Sequence, residues 1–274
     1  MIRVVLLAGL AVGGVVMLLW VFQERVIFQP PAPGARSTHA EFVEFRTGAG
    51  QQLHAYVIEP ADSAPTSPRA AIVFFHGNAE LAESRVEWAR EAARRAHMPV
   101  VLAEYRGYGG VPGTPGYDAA ISDAGETIAF VTRRYRLDHR HIILYGHSLG
   151  TGVASQLAAD HDALALMLEC PFTSLADVGR EALLPPVTWI LPLILRVRFA
   201  PLARVQETRT PVWVAVAGQD EVIPPVMARQ VFKAARVPGE LLEVPTAGHT
   251  DVPEAGGQRY WEWFARATSA KAAR

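Results

Sequence analysis

The stretch from Ile142 to Gly152 constrains this chain most: an apolar run, Ile142-Ile143-Leu144-Tyr145, enters Gly146-His147-Ser148-Leu149-Gly150 and continues into small, helix-compatible residues. It reads as a strand that turns sharply into a helix with Ser148 at the bend. A serine flanked by glycines in the G-x-S-x-G pattern is held in a strained turn, with its oxygen clear of the backbone and available as a nucleophile. The first N–H of the following helix, that of Leu149, points toward any negative charge that develops beside Ser148.

The remaining chain supplies a sheet for such a turn. Glu41 to Arg46 and Leu53 to Ile58 predict an antiparallel hairpin across Gly48-Ala49-Gly50. Ala70 to Phe75, Val100 to Ala103, Ala163 to Leu168 and Val212 to Ala217 are short apolar runs suited to strands buried on both faces, and Leu241 to Val244 is a further short strand. Helical patterns lie between them. One runs from Glu80 to His97, where the Glu/Arg mixture reads as a solvated face, and another carries Tyr117, Ile121, Ala124, Ile128, Val131 and Tyr135 on one side. Further helices follow Ser148 and Pro224-Pro225, and a last one starts near Glu254. This alternation predicts an α/β architecture, a mostly parallel central sheet with helices on both faces and ligands at the carboxyl ends of the strands. Residues 172–209 break the rhythm. Their prolines forbid one straight helix through Leu183 to Leu195, and they read as a small cap over the site, with simple packing onto the domain as the equal alternative.

A serine hydroxyl needs a base, and the base needs a carboxylate to orient it. The loop after Ala217-Gly218 offers Asp220, with Glu221 as a rival, and the loop after the next strand offers His249 in Ala247-Gly248-His249. Both lie at strand ends, on the edge that carries Ser148. The order serine, acid, histidine assigns Asp220 as the orienting acid and His249 as the base. A second oxyanion donor belongs to the loop after Phe75, His76-Gly77-Asn78-Ala79, where the N–H of Asn78 is the first choice and Ala79 the next. His147 lies inside the turn, and His139 with His141 flanks a strand as solvated residues. No phosphate loop or metal-ligand cluster is evident, so no cofactor is implied.

With 274 residues, half of them hydrophobic, the chain can bury a large core. The formal net charge of -1 and the lack of a basic stripe argue against nucleic acid as a partner. The single cysteine, Cys170, excludes an internal disulfide and closes an apolar run, which predicts a buried, inert thiol.

From Val4 to Phe22 no residue is charged, and as a helix that run reaches ~28 Å, about the thickness of a bilayer core. Residues 1–25 are therefore expected to form an uncleaved membrane anchor, with Trp20 at the interface and a signal peptide as the alternative. Arg3 and the amino terminus precede the run, whereas Glu24 and Arg25 nearly cancel after it. That balance puts the body on the extracytoplasmic side, in a bacterium the periplasm. Residues 26–40, with Pro30-Pro31-Ala32-Pro33-Gly34, read as a stiff linker that holds the following domain, residues 41–274, near the membrane.

Taken together, strand-HGNA, Tyr105-Arg106-Gly107-Tyr108-Gly109-Gly110, strand-GHSLG, Cys170-Pro171-Phe172-Thr173-Ser174-Leu175, Ala217-Gly218-Gln219-Asp220 and Ala247-Gly248-His249 in this order resemble the α/β-hydrolase superfamily. Within it the chain is similar to the membrane-associated branch that includes depalmitoylases and lysophospholipid lipases. The resemblance implies an α/β-hydrolase fold, Ser148, Asp220 and His249 as triad, and Asn78 with Leu149 as oxyanion hole. Members often carry an aspartate before the Tyr-Arg-Gly-Tyr-Gly run and a serine after it; here Glu104 and Val111 stand there. The expected activity is hydrolysis of carboxylic esters or thioesters, acyl lipids among them, through an acyl-enzyme. Amide or peptide hydrolysis on the same triad is the alternative within enzymes, and an anchored, non-catalytic binding module the alternative outside them.

Overall fold

The computed structural model describes residues 2–34, 37–60, 68–182, 191 and 194–269, apart from the side chains of 2–12, 15, 19 and 182. Among the described residues the strands are β1 (Glu41–Arg46), β2 (Gln52–Ile58), β3 (Ala71–Phe75), β4 (Val100–Ala103), β5 (Ile142–His147), β6 (Ala165–Glu169), β7 (Val212–Ala217) and β8 (Pro238–Val244). They form one sheet in the order β1-β2-β4-β3-β5-β6-β7-β8. The β1/β2 and β2/β4 pairs are antiparallel and every other pair is parallel. The helices are α1 (Ile2–Ile27), α2 (Val86–Ala96), α3 (Tyr117–Tyr135), α4 (Leu149–Asp160), α5 (Leu175–Ala182), α6 (Pro201–Glu207), α7 (Pro225–Ala234) and α8 (Val252–Thr268).

The short apolar runs are central strands because both of their faces are covered. Val73, Leu144, Leu166 and Val214 pack into one core with residues of α3, α4 and α7, among them Ile128, Val153 and Val231. Their neighbours Ile72, Ile143, Met167 and Ala215 point the other way, toward Ala89 of α2 and Trp263 and Phe264 of α8. Alternate residues thus feed two layers, and the strand ends meet at one edge.

Several elements depart from expectation. The helix expected from Glu80 begins as a 3-10 turn, Ala82–Arg85, because the Ala82 N–H is drawn to the Glu104 carboxylate at 3.0 Å. β8 starts at Pro238, earlier than the expected Leu241, and α8 is interrupted at Gly257, whose φ of 48° is not helical. Of the expected cap, α5, α6 and the segment 194–200 are described, whereas most of the proline-interrupted stretch Leu183 to Leu195 lies outside the described residues. Val197 and Phe199 are buried in the core beside α4, so this part of the segment packs onto the body.

The uncharged run Val4 to Phe22 falls within α1, and many of its side chains lie outside the description. Among the described residues no helix is long and apolar enough to cross a membrane. Trp20, expected at a membrane interface, has the Arg196 guanidinium 4.7 Å from its ring centre. The chain leaving α1 packs on the body: Phe28 is buried, with the Phe199 ring 6.4 Å away and edge-on.

Candidate active site

Ser148 follows β5 and caps α4 in a conformation that side-chain-bearing residues avoid, φ 50° and ψ −119°. The glycines on either side make room for the bend. A Cβ on Gly146 would run into the backbone of Gly150, and one on Gly150 would strike the Phe75 carbonyl. The turn is secured by the Ser148 N–H, which donates to the Glu169 carbonyl at 3.0 Å.

His249 Nε2 lies 2.8 Å from Ser148 Oγ, and His249 Nδ1 lies 2.8 Å from Asp220 Oδ2. The structure therefore brings together in one line the three residues expected from their strand-end positions. The Asp220 side chain is 2% exposed, and its other oxygen accepts the N–H groups of Val222 and Ile223 at 2.8 Å each. Burial works to raise its pKa, but the His249 contact and the two N–H donors outweigh that, and the carboxyl lies below its ordinary value. The rival acid, Glu221, is exposed. A carboxylate at Nδ1 leaves Nε2 free to take a proton from Ser148, the tautomer a general base needs.

The two residues expected to supply oxyanion donors both flank the serine turn. Leu149 opens α4, so its N–H stands at a helix N-terminus. The loop His76-Gly77-Asn78-Ala79 passes over the turn so closely that a Cβ on Gly77 would come within 3.2 Å of the Ser148 Cβ. Among the described residues neither the Asn78 nor the Leu149 backbone N–H donates a hydrogen bond.

That loop is held from below and behind by charged groups which the sequence reading left out of the site. His76 Nε2 contacts Glu104 Oε1 at 2.7 Å and Nδ1 contacts the Gly77 carbonyl at 2.8 Å, so both ring nitrogens face acceptors. Burial depresses the His76 pKa, yet the Glu104 carboxylate more than offsets it and the imidazole titrates above its ordinary value. Glu104 also reaches the Ala82 N–H. Glu80 accepts the Gly77 N–H at 2.7 Å, lies 2.9 Å from His147 Nδ1 and pairs with Arg85. Its burial is outweighed by His147, Arg85 and the Gly77 N–H, which hold the carboxyl well below the usual range. The solvated-face reading of the Glu80 to His97 run is thus corrected at its start, where Glu80 and Arg85 turn inward because they share His147. A carboxylate three residues beyond Gly77, able to reach back to its N–H, was the available signal.

His147 is fully enclosed, and its Nε2 donates to the His249 carbonyl at 3.0 Å, steadying the loop that carries the base. Cys170 is buried as expected, and burial pushes its thiol well above the ordinary range. Among the described residues, ligating atoms of Cys170, Asp220 and His249 form the one grouping, within 4.8 Å, with metal-ligand chemistry. Asp220 and His249 already use those atoms on each other and on Ser148.

A serine at a strand-to-helix turn, met by a histidine and an acid from later strand ends of a mostly parallel sheet, is the arrangement of the α/β-hydrolases. The chain belongs to that superfamily. Residues 66–200 match the family described as serine aminopeptidase, S33. The uncharacterized protein Rv2307c of Mycobacterium tuberculosis is 34% identical over 255 residues, covering 90% of this chain and 88% of the relative. The α/β-hydrolase domain-containing protein WAV2 of Arabidopsis thaliana is 29% identical, covering 93% and 89%. Among solved structures, the esterase Pf2001 of Pyrococcus furiosus superposes with a TM-score of 0.67 over 87% of this chain and 98% of its own, at 14% identity. That likeness is one of fold.

Proposed function

We propose that the protein is a serine hydrolase that cleaves carboxylic esters or thioesters, acyl lipids among them, through an acyl-enzyme on Ser148. The observation that carries this reading is the Ser148–His249–Asp220 line with its two 2.8 Å contacts. As Ser148 Oγ attacks the acyl carbon, its proton passes to His249 Nε2, and Asp220 stabilises the imidazolium at Nδ1. The Asn78 and Leu149 N–H groups take the carbonyl oxygen as it becomes an oxyanion, an interaction worth ~10²–10³ in turnover per donor. His249 then gives its proton to the leaving alcohol or thiol. Water, deprotonated by His249, attacks the acyl-enzyme and releases the carboxylic acid with Ser148 restored. No step requires a cofactor.

Amide or peptide hydrolysis is the second reading, favoured by the description of the matched family as a serine aminopeptidase. Kinetics on ester, thioester and amide substrates of one acyl group, in a graded series of chain lengths, separate the two. Esters or thioesters are expected to dominate in kcat/KM, with a long-chain optimum if acyl lipids are the substrates. An amide preference would overturn the ester assignment. A non-catalytic module leaves the aligned serine, base and acid without a use.

Membrane anchoring through residues 1–25, with the body on the extracytoplasmic side, belongs to the same proposal. Its support is the uncharged run Val4 to Phe22, the helical conformation of α1, and the charge asymmetry about that run. Met17, Leu18, Val21 and Phe22 on the described part are exposed and apolar, which fits a lipid-facing helix.

A further inference from the structure

The chain leaving α1 does not behave as a slack tether. Its last turns are tied to the body at three places. Gln23 accepts the Arg196 N–H at 2.6 Å and donates to the Ile194 carbonyl at 3.1 Å. Glu24 accepts the Tyr117 N–H at 3.1 Å, a carboxylate at the first turn of α3. The third tie reaches the loop over Ser148. Asn78 Nδ2 donates to the Ile27 carbonyl at 2.6 Å, and Asn78 Oδ1 accepts the Gln29 N–H at 2.9 Å. Tyr108 OH donates to the same Oδ1 at 2.7 Å.

We propose that the exit of α1, through the Ile27 carbonyl and the Gln29 N–H, is a positioning element of the oxyanion site that holds Asn78 by its side-chain amide. The inference rests on the reading of Ser148 as nucleophile and of the Asn78 N–H as oxyanion donor. Both ends of the amide are engaged by the α1 exit and Tyr108, so this side chain is committed to the protein and not to substrate. What it determines is the orientation of its own peptide plane. The other contacts of the loop, Glu80 on the Gly77 N–H and Glu104 on His76, fix the residues before Asn78. Only the α1 exit and Tyr108 grip Asn78 itself among the described residues. Phe28, buried between the two gripping residues, keeps them in step with the core. The consequence is that the segment proposed to tether the protein also completes its active site, so its excision removes part of the catalytic geometry along with the anchor.

The test uses the full-length protein in detergent and three variants: two glycines inserted between Phe28 and Gln29, the same insertion between Ala32 and Pro33, and Asn78→Asp. The first shifts the Ile27 carbonyl and Gln29 N–H out of register; the second lengthens the chain beyond the grip. Asn78→Asp retains an acceptor for Gln29 and Tyr108 but loses the donor to Ile27. A misaligned oxyanion donor lowers kcat and spares ground-state binding, so the first insertion and Asn78→Asp should each lose at least about tenfold in kcat with KM within about twofold. The insertion at Ala32 should retain wild-type kcat, and all folded variants should unfold at about the wild-type temperature. If the first insertion does not fold, Asn78→Asp is read beside Asn78→Ala, which releases the same grip without placing a carboxylate near the oxyanion and should lose kcat likewise. Wild-type kcat in Asn78→Asp, or an equal loss in both insertions, would overturn the proposal. A wild-type protein without ester, thioester or amide turnover would instead overturn the reading of Ser148, and the grip with it.

Discussion

Ser148, His249 and Asp220 could be named from sequence because each sits at a strand end and the chemistry demands one of each type. Glu80 was passed over, because a glutamate at the head of a Glu/Arg-rich run has the composition of a solvated helix face, and the signal against that, its place three residues beyond Gly77, is a weak one. Its environment is what makes it matter: one carboxylate joins the loop after β3 at Gly77, the serine turn at His147, and Arg85. Hydrogen bonds to a charged, mostly buried group are worth about 1.5–3 kcal/mol each, so Glu80→Gln should destabilise the protein measurably at neutral pH. The folded-state pKa of Glu80 is depressed, so its contribution is fully present above the ordinary glutamate pKa and is lost as pH falls through the folded value. Denaturant midpoints measured from neutral to acidic pH should therefore show the gap between wild type and Glu80→Gln narrowing on acidification. A gap independent of pH would show that the charge of Glu80 does not stabilise the fold. His147 was legible as part of the turn and illegible as the partner of the His249 carbonyl, since that contact joins residues about a hundred positions apart in the chain.

At the level of elements, periodicity located the strands and helices well wherever burial follows from the local pattern. The hairpin Glu41–Arg46 with Gln52–Ile58 and the buried runs of β3, β4, β5 and β7 are examples. It failed where a tertiary contact sets the boundary. The 3-10 start before α2 follows from Glu104 reaching Ala82, and the burial of Phe28 follows from a partner, Phe199, far along the chain. Residues 26–40 look like a proline-rich spacer in sequence, yet their first residues are packed and hydrogen-bonded against the body. The proposed anchor is tested at this scale. Full-length protein expressed in a bacterium should stay with the membrane pellet after alkaline carbonate extraction, and a reporter fused to the carboxyl terminus should be active only outside the cytoplasm. Release of the intact chain into the supernatant would contradict an uncleaved anchor.

For the molecule as a whole, the parallel order of the central strands puts the loops after β3, β5, β7 and β8 at one edge, and those four loops carry Asn78, Ser148, Asp220 and His249. That convergence was readable because the alternation of strands and helices implies it. The substrate was not readable, because residues 172–209 combine buried anchors such as Phe199 with a proline-interrupted stretch that has no helical or strand period. The proposed mechanism stands on Ser148 Oγ as the atom that becomes acylated. Peptide mass mapping after brief exposure to a fluorophosphonate tests this most directly: the account predicts one adduct, on the peptide bearing Ser148, and none in Ser148→Ala. An adduct that survives Ser148→Ala, or maps to another residue, would contradict it.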